Sequence, residues 1–378
     1  MNALMEFLDK KGQEYAPFEP KRAPEILALL NLTLPKKLKV IHIIGTNGKG
    51  STGRFLALML YQKGFNVGHF TSPHLLNFNE RFWLNGKNLA DEILQKAFLE
   101  LDSALLKEAS YFEVLTFLAF RVFGDCDYLV LEAGLGGEFD STTTCFKRDL
   151  TLFTHIGIDH QEFLGETIEE IATTKLNAMS KKAILGIQSD LTIVMLAKKV
   201  AQEKQANLQI LEKQDILSSI KEYCKKHAYP KYQEENLTLA YFGLKALGLD
   251  IALESLAKLD LMGRMQKISH NIWLDVLHNP SGARAILQNF SKEKYVLVYN
   301  SYFDKNPKEI LSILKPIIKR IEIMEVDNPR IIPKEELKNI LRELRVEFSD
   351  FVSIKDDEKY LVCGSFSVVS EFCKRSKI

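Results

Sequence analysis

Two hydrophobic rhythms alternate along this chain. Short unbroken apolar runs at 39–44, 66–70, 128–132, 150–156 and 183–186 read as buried strands. Between them lie stretches with apolar positions at helical spacing, such as 52–62 and the stripe Ile168, Ile171, Ala172, Lys175, Met179. Buried strands that alternate with helices predict a parallel α/β sheet. The pattern loosens over 187–235, where 191–205 reads as helical and the polar stretch behind it takes no assignment; 236–247 reads as a further helix, ended by Gly248. A second alternation starts near 271, with strand-like runs at 272–277, 295–299, 320–326 and 360–363. Helical segments at 281–290, 307–319, 334–343 and 367–375 lie between them. The pattern divides the chain into a parallel-sheet domain over 1–262, a linker over 263–270 and a smaller α/β domain over 271–378.

Composition changes this picture little. A hydrophobic content of 46% against 26% charged residues is that of an ordinary globular protein. A formal net charge of +1 offers no electrostatic field for nucleic acid or for a membrane surface, so neither is expected as a partner. No apolar run approaches the roughly 18 residues of a membrane helix, and 1–15 is charged and amphipathic rather than a leader. Cys126, Cys145, Cys224, Cys363 and Cys373 form no C-x-x-C pair, which points to a reducing, cytoplasmic compartment.

The chemistry concentrates at the ends of the apolar runs. Gly45-Thr46-Asn47-Gly48-Lys49-Gly50-Ser51 follows the first run and precedes a helix. Backbone N–H groups at a helix N-terminus attract an anion, glycines let it approach, and a lysine adds charge. The spacing departs from G-x-x-x-x-G-K-[ST], because Ile43 occupies the place of the first glycine and Gly50 that of the hydroxyl residue. Ser72, in Thr71-Ser72-Pro73-His74, follows the second run and could offer oxygen to magnesium. Glu132 closes the third run just before Ala133-Gly134-Leu135-Gly136-Gly137, where a carboxylate can bind a metal or polarise water and the glycines suggest a ligand close to the backbone. His160 follows the fourth as a metal-ligand candidate with Asp159 to orient it. Thr167-Ile168-Glu169-Glu170 matches a capping box, and the helix it starts turns Lys175 towards its buried face. In the second alternation a strand delivers Asp275 and His278 to its C-terminal end, and Arg264 stands ready to balance phosphate charge.

In this order, GTNGKGST, TSPHL, NERF, LEAGLGGEFDSTT, HIGIDHQEFLGETIEEIATTK, GRMQ, LDVLHNP and VCGSF resemble the folylpolyglutamate synthase and dihydrofolate synthase family, which belongs with the Mur ligases. The likeness runs over about 14–373. It departs around Lys175, where Thr174-Lys175-Leu176-Asn177-Ala178 replaces the usual E-K-A-G-I, and at Met262 and Leu277. The resemblance implies an N-terminal P-loop ATP-binding domain and a C-terminal Rossmann-like glutamate ligase domain. It implies that Thr46, Asn47, Gly48, Lys49, Gly50 and Ser51 hold the ATP phosphates, with Asn236, Arg264 and Asp275 as further ATP contacts. It gives two Mg2+ ions, one on Ser72 and Glu132 and the other on His160, with Lys175 carbamylated as a metal ligand. Phe139, Asp140 and Ser141 would meet the pterin substrate, and His278 joins the substrate side. Lys49, Lys175 and His160 are then the catalytic set.

The implied activity is an ATP-dependent carboxylate–amine ligase that adds L-glutamate to a folate-type carboxylate through an acyl phosphate, acting as a monomer on small-molecule substrates. Two alternatives share parts of the pattern. A Mur-type amino-acid ligase uses the same chemistry on another acceptor. A P-loop ATPase regulator needs the phosphate loop but neither Lys175 nor an amino-acid site.

Overall fold

The computed structural model of the protein describes residues 3–12, 19–144, 148–290 and 293–377; Cys145 lies outside them. The chain forms two compact units. The first gathers Met1–Ser72, Asn79–Ile220 and Glu235–Leu259, and the second Pro73–Phe78, Lys221–Glu234 and Asp260–Ile378. Among the described residues no helix is long and apolar enough to cross a membrane.

The first unit is built on an eight-stranded sheet of β1 (Lys39–Ile44), β2 (Val67–Phe70), β3 (Phe82–Leu84), β4 (Lys87–Asn88), β5 (Tyr128–Glu132), β6 (Leu150–Phe153), β7 (Lys182–Leu185) and β8 (Asn207–Ile210). Their order across the sheet is β4-β3-β2-β5-β1-β6-β7-β8. From β2 to β8 every pairing is parallel, and each central strand is buried on both faces, which is why these strands read as unbroken apolar runs. After β1 the chain goes to one side for β2 and β5, then crosses to the other side for β6, β7 and β8. The C-terminal end of β1 therefore lies where the connections diverge, the place where open α/β sheets bind ligands.

The edges of this sheet escaped the hydrophobic reading. β3 and β4 are an antiparallel hairpin closed by Asn85-Gly86, both at positive φ (47° and 96°), a turn that Asn-Gly favours. Their strands are too short to show alternation. β8 is half exposed along its length, so an edge strand with polar residues satisfies it.

The second unit holds a six-stranded sheet of β9 (Arg264–Lys267), β10 (Ile272–Asp275), β11 (Tyr295–Tyr299), β12 (Ile318–Ile323), β13 (Phe348–Asp350) and β14 (Tyr360–Cys363), in the order β13-β12-β11-β14-β10-β9. Only β9 runs antiparallel. Residues 263–270, expected as a linker, thus include an edge strand, and backbone pairing with β10 holds it where apolar content would not. Leu75 joins Leu274, Val276, Val362 and Phe372 in one core cluster of this unit. Cys126, Cys224, Cys363 and Cys373 are buried free thiols.

Candidate active site

The phosphate loop leaves β1 under tight constraint. A Cβ on Gly45 would lie 2.0 Å from Thr154 Oγ1, so only glycine fits beside the residue that follows β6. Thr46 N and Asn47 N donate to His155 O at 2.9 and 3.2 Å, and Thr46 Oγ1 donates to Gly157 O at 3.0 Å. The first half of the loop is therefore tied to the exit from β6. Those two amides point into the protein, so the N–H groups that a helix N-terminus turns towards an anion are those of the helix start, Gly48 to Ser51. Gly48 sits at φ 90° as the N-cap of the helix Lys49–Gln62, and a Cβ there would meet Asn236 Oδ1 at 2.2 Å. Asn236, on the helix Lys231–Ala246, is thereby brought against the loop. Gly50 and Ser51 are buried in the first turn. Lys49 curls back so that Nζ donates to Gly45 O and Thr46 O, both at 3.2 Å.

Beside the loop stands a buried carboxylate. Glu132 ends β5, the neighbour of β1, and pairs in register with Ile43. Its Oε2 accepts from Thr71 Oγ1 and, at 3.3 Å, from Ser72 N. The parallel pairing of β2 with β5, Phe70 beside Leu131, carries Thr71 and Ser72 to this oxygen. Thr71 was missed by sequence reasoning although it adjoins Ser72. So was Arg81 in the NERF stretch, a buried cation over the Tyr111 ring at 5.8 Å whose carbonyl takes the Thr71 N–H at 3.1 Å.

The helix Ile168–Leu176 opens with the expected capping box, Thr167 with Glu170. Near its other end Lys175 is 1% exposed, and its Nζ donates to Leu135 O at 2.9 Å and to Gly45 O at 3.3 Å. Packing alone requires two of the glycines after Glu132. A Cβ on Gly137 would lie 2.4 Å from Lys175 Cα and from Thr174 O, and one on Gly134 would lie 2.7 Å from the Phe112 ring. Phe139 is 48% exposed. Its neighbours turn inward: Ser141 Oγ meets Thr116 Oγ1 at 2.7 Å, and the Asp140 carboxyl accepts four hydrogen bonds from Leu135, Gly136 and Thr142. Of the three residues expected at the pterin, Phe139 alone presents a large exposed surface.

His160 lies further along, at φ 53°, as the N-cap of the helix Gln161–Leu164. Asp159 accepts from His160 N at 2.9 Å and stands 3.9 Å from Nε2. Among the described residues no group of three or more His, Cys, Asp or Glu side chains forms a ready-made metal centre. Ser72 and Glu132 present hard oxygen atoms instead, the donor type magnesium prefers, with room in its shell for phosphate and water.

In the second unit, Asp275 ends β10 opposite Arg264 of β9. Burial pushes its carboxyl up from the usual range, opposed by the Tyr232 hydroxyl, which donates at 2.9 Å, by Arg264 and by Leu277 N at 2.8 Å. The Arg264 guanidinium lies 5.1 Å over the Phe366 ring, and the His278 ring is 6.2 Å from the same ring. His278 Nδ1 bonds Val276 O at 3.0 Å.

The family model described as the Mur ligase middle domain matches residues 43–254. The chain is 30% identical to the dihydrofolate synthase/folylpolyglutamate synthase of Buchnera aphidicola subsp. Acyrthosiphon pisum, over 97% of this chain and 95% of that one. The crystal structure of Helicobacter pylori folylpolyglutamate synthetase superposes with a TM-score of 0.80 and 40% identity, covering 100% of this chain and 98% of that one. The Escherichia coli FolC structure in complex with DHPP and ADP superposes with a TM-score of 0.83 at 25% identity, covering 99% and 97%.

Proposed function

The chain belongs to the folylpolyglutamate synthase and dihydrofolate synthase family of the Mur ligases, and from that premise we propose how its residues join L-glutamate to a folate-type carboxylate at the expense of ATP. The single observation that carries the assignment of roles is the meeting of Lys49 and Lys175 on Gly45 O, beside a helix N-terminus and the Glu132 strand end.

The amides of Gly48 to Ser51 and the Lys49 ammonium hold the ATP phosphates, with Asn236 against the loop. The folate-type carboxylate attacks the γ-phosphorus, the bond to the bridging oxygen breaks, and ADP leaves with an acyl phosphate formed. The α-amine of glutamate then attacks the acyl carbon, phosphate leaves, and the amine loses its proton. Lys49 spreads the charge that develops during the first step. Magnesium supplies further charge stabilisation when bound; Ser72 and Glu132 would hold one ion and His160 a second.

Lys175 acts in this reading as a carbamate. The ammonium first gives up a proton, the freed amine nitrogen then bonds to the carbon of CO2 as one C=O π pair moves to oxygen, and a second proton leaves the nitrogen, so a cation beside Lys49 becomes an anionic oxygen ligand. The proximity of Lys49 supports this change of sign, since two ammonium groups on one acceptor repel. Phe139 offers its ring to the pterin. In the second unit, Arg264 and Asp275 take nucleotide roles and His278 a substrate role by family likeness.

The test is product analysis with ATP, L-glutamate and either dihydropteroate or tetrahydrofolate. Glutamylated product, ADP and phosphate in equal amounts are expected. Absence of glutamate-dependent phosphate release with both pterins overturns the reading.

A further inference from the structure

The carboxyl of Asp275 is buried at the end of β10, between the neighbouring strands β9 and β14. Both strands and one helix bring charged or titratable groups to it. Arg264 stands opposite on β9. Cys363 ends β14, one step beyond the pair of Leu274 with Val362, and burial and the Asp275 charge push its thiol well above the usual range. Tyr232 comes from the helix Lys231–Ala246 and packs, half-buried, against the core cluster that includes Leu277, Leu361 and Cys363. All of these residues belong to the second unit.

Among the described residues, Tyr232 alone bonds this carboxyl through a side chain: its hydroxyl donates to Oδ2 at 2.9 Å. Arg264 faces Asp275 in register, but its guanidinium is engaged elsewhere. Nη1 donates to Gly263 O at 3.2 Å, and the group lies 5.1 Å over the Phe366 ring. Backbone donors complete the set, with Leu277 N on Oδ1 at 2.8 Å and the Met265 N–H. A carboxylate has about four acceptor positions, so one is left for a ligand hydroxyl or N–H. Burial favours the neutral acid at Asp275, and the Tyr232 hydroxyl is the largest influence against it. Tyr232 itself stays a donor, because burial and the Asp275 charge push its phenol well above the usual range.

We propose that Tyr232 is a positioning residue for Asp275: its hydroxyl fixes the carboxylate and keeps it charged, so that an ionised acceptor meets the nucleotide at neutral pH. The inference rests on the nucleotide role given to Asp275 above. A hydrogen bond to the charged form lowers the pKa of a carboxyl. Affinity that needs the carboxylate is full above that pKa and is lost as pH falls through it. Without the hydroxyl, the loss sets in at higher pH.

The test is calorimetric titration of the full-length protein with a non-hydrolysable ATP analogue and magnesium, between about pH 5 and about pH 8. Affinities are taken relative to the parent at each pH, so protonation of the nucleotide cancels. Tyr232→Phe deletes only the hydroxyl. Its relative affinity should fall up to about tenfold at the acid end and recover towards neutral pH, an upward displacement of the acid limb by about one pH unit. Replacing Tyr232 by 3-fluorotyrosine, a stronger donor of nearly the same volume, should move the limb the other way. Asp275→Asn should lose affinity throughout and make an added Tyr232→Phe silent, since both act through one carboxyl. A tyrosine that only supports the fold would instead lower affinity by one factor at every pH and add its effect to that of Asp275→Asn. Either result overturns the proposal, as does an unmoved limb in both Tyr232 variants or parent affinity in Asp275→Asn. If the phenylalanine variant does not fold, the fluorotyrosine protein, with ring and hydroxyl intact, carries the test. Loss of ligation in the parent protein would strike the reading of its function, leaving the nucleotide titration to decide on Tyr232.

Discussion

Lys49 and Lys175 donate to one acceptor, the carbonyl oxygen of Gly45, at 3.2 and 3.3 Å. One lysine starts the helix of the phosphate loop and the other stands in the last turn of a helix more than a hundred residues later. At about 6 Å and an effective dielectric of about 20, two ammonium charges repel by roughly 3 kcal/mol. An anion brought to the loop relieves that repulsion, and so does conversion of one amine to a carbamate.

The two lysines should separate by function. Lys175→Met is expected to lower ADP release coupled to glutamate by roughly 10²–10³-fold, the scale of a lost electrostatic contact in a reacting centre. Its affinity for a non-hydrolysable ATP analogue should change less than tenfold, whereas Lys49→Ala should lose most of that affinity. Calorimetric titration of both variants checks this; equal losses of nucleotide affinity would contradict the assignment.

Gly137 and Gly136 should differ sharply although they are neighbours. A Cβ on Gly137 meets helix backbone at 2.4 Å, which cannot yield as a side chain can, whereas one on Gly136 meets only Leu164 Cδ2 at 3.4 Å. Gly137→Ala is expected to cost about 2–3 kcal/mol, as overpacking does, and to displace Lys175. Gly136→Ala should stay near the parent. Thermal melting and ligation assays on the pair decide, and matched melting curves would remove the packing argument.

Gly48 is constrained twice, by its φ of 90° and by Asn236 Oδ1 at 2.2 Å from a Cβ. Gly48→Ala should abolish tight ATP binding. Adding Asn236→Ala clears the contact but leaves an L-residue in left-handed backbone, a cost of roughly 1–2 kcal/mol. Affinity should therefore recover only in part in the double variant. Full recovery would show that the contact with Asn236 is the whole constraint.

Acid should loosen the first unit through its buried histidines. His42 titrates near 6.5 when unfolded and at about 3 when folded. Between those values the unfolded chain binds the extra proton, so stability present above pH 6.5 is lost as pH falls towards 3. Burial lowers His69 as well, so it acts in the same direction. His42→Gln keeps a donor towards Thr142 without the titration. Its melting temperature relative to the parent should rise steadily from pH 6.5 to pH 4. A difference that does not vary with pH excludes His42 from the acid response.

Much of the fold was legible because its signals are local. The runs at 39–44, 128–132, 295–299 and 360–363 return as β1, β5, β11 and β14 with those bounds. The strands at the sheet edges were not legible: β4, β8, β9 and β13 are short or polar and are held by backbone pairing, while β3 beside β4 is buried but only three residues long. The membership of 73–78 and 221–234 in the second unit leaves no trace in composition, since Leu75 is placed by the core it joins.

The sequence by itself determined the strand, glycine turn and helix of the phosphate loop, the capping box at Thr167 and the inward face that buries Lys175. Each depends on residues within a turn or two of one another. Only the tertiary structure decided that Lys49 and Lys175 share Gly45 O, that Thr71 joins Ser72 on Glu132, and that Asp140 faces Leu135 and Thr142. A hydrogen bond is completed by whichever partner strand order and helix packing bring within about 3 Å. A side chain's chemistry is written in the chain, but its partner is chosen by the fold.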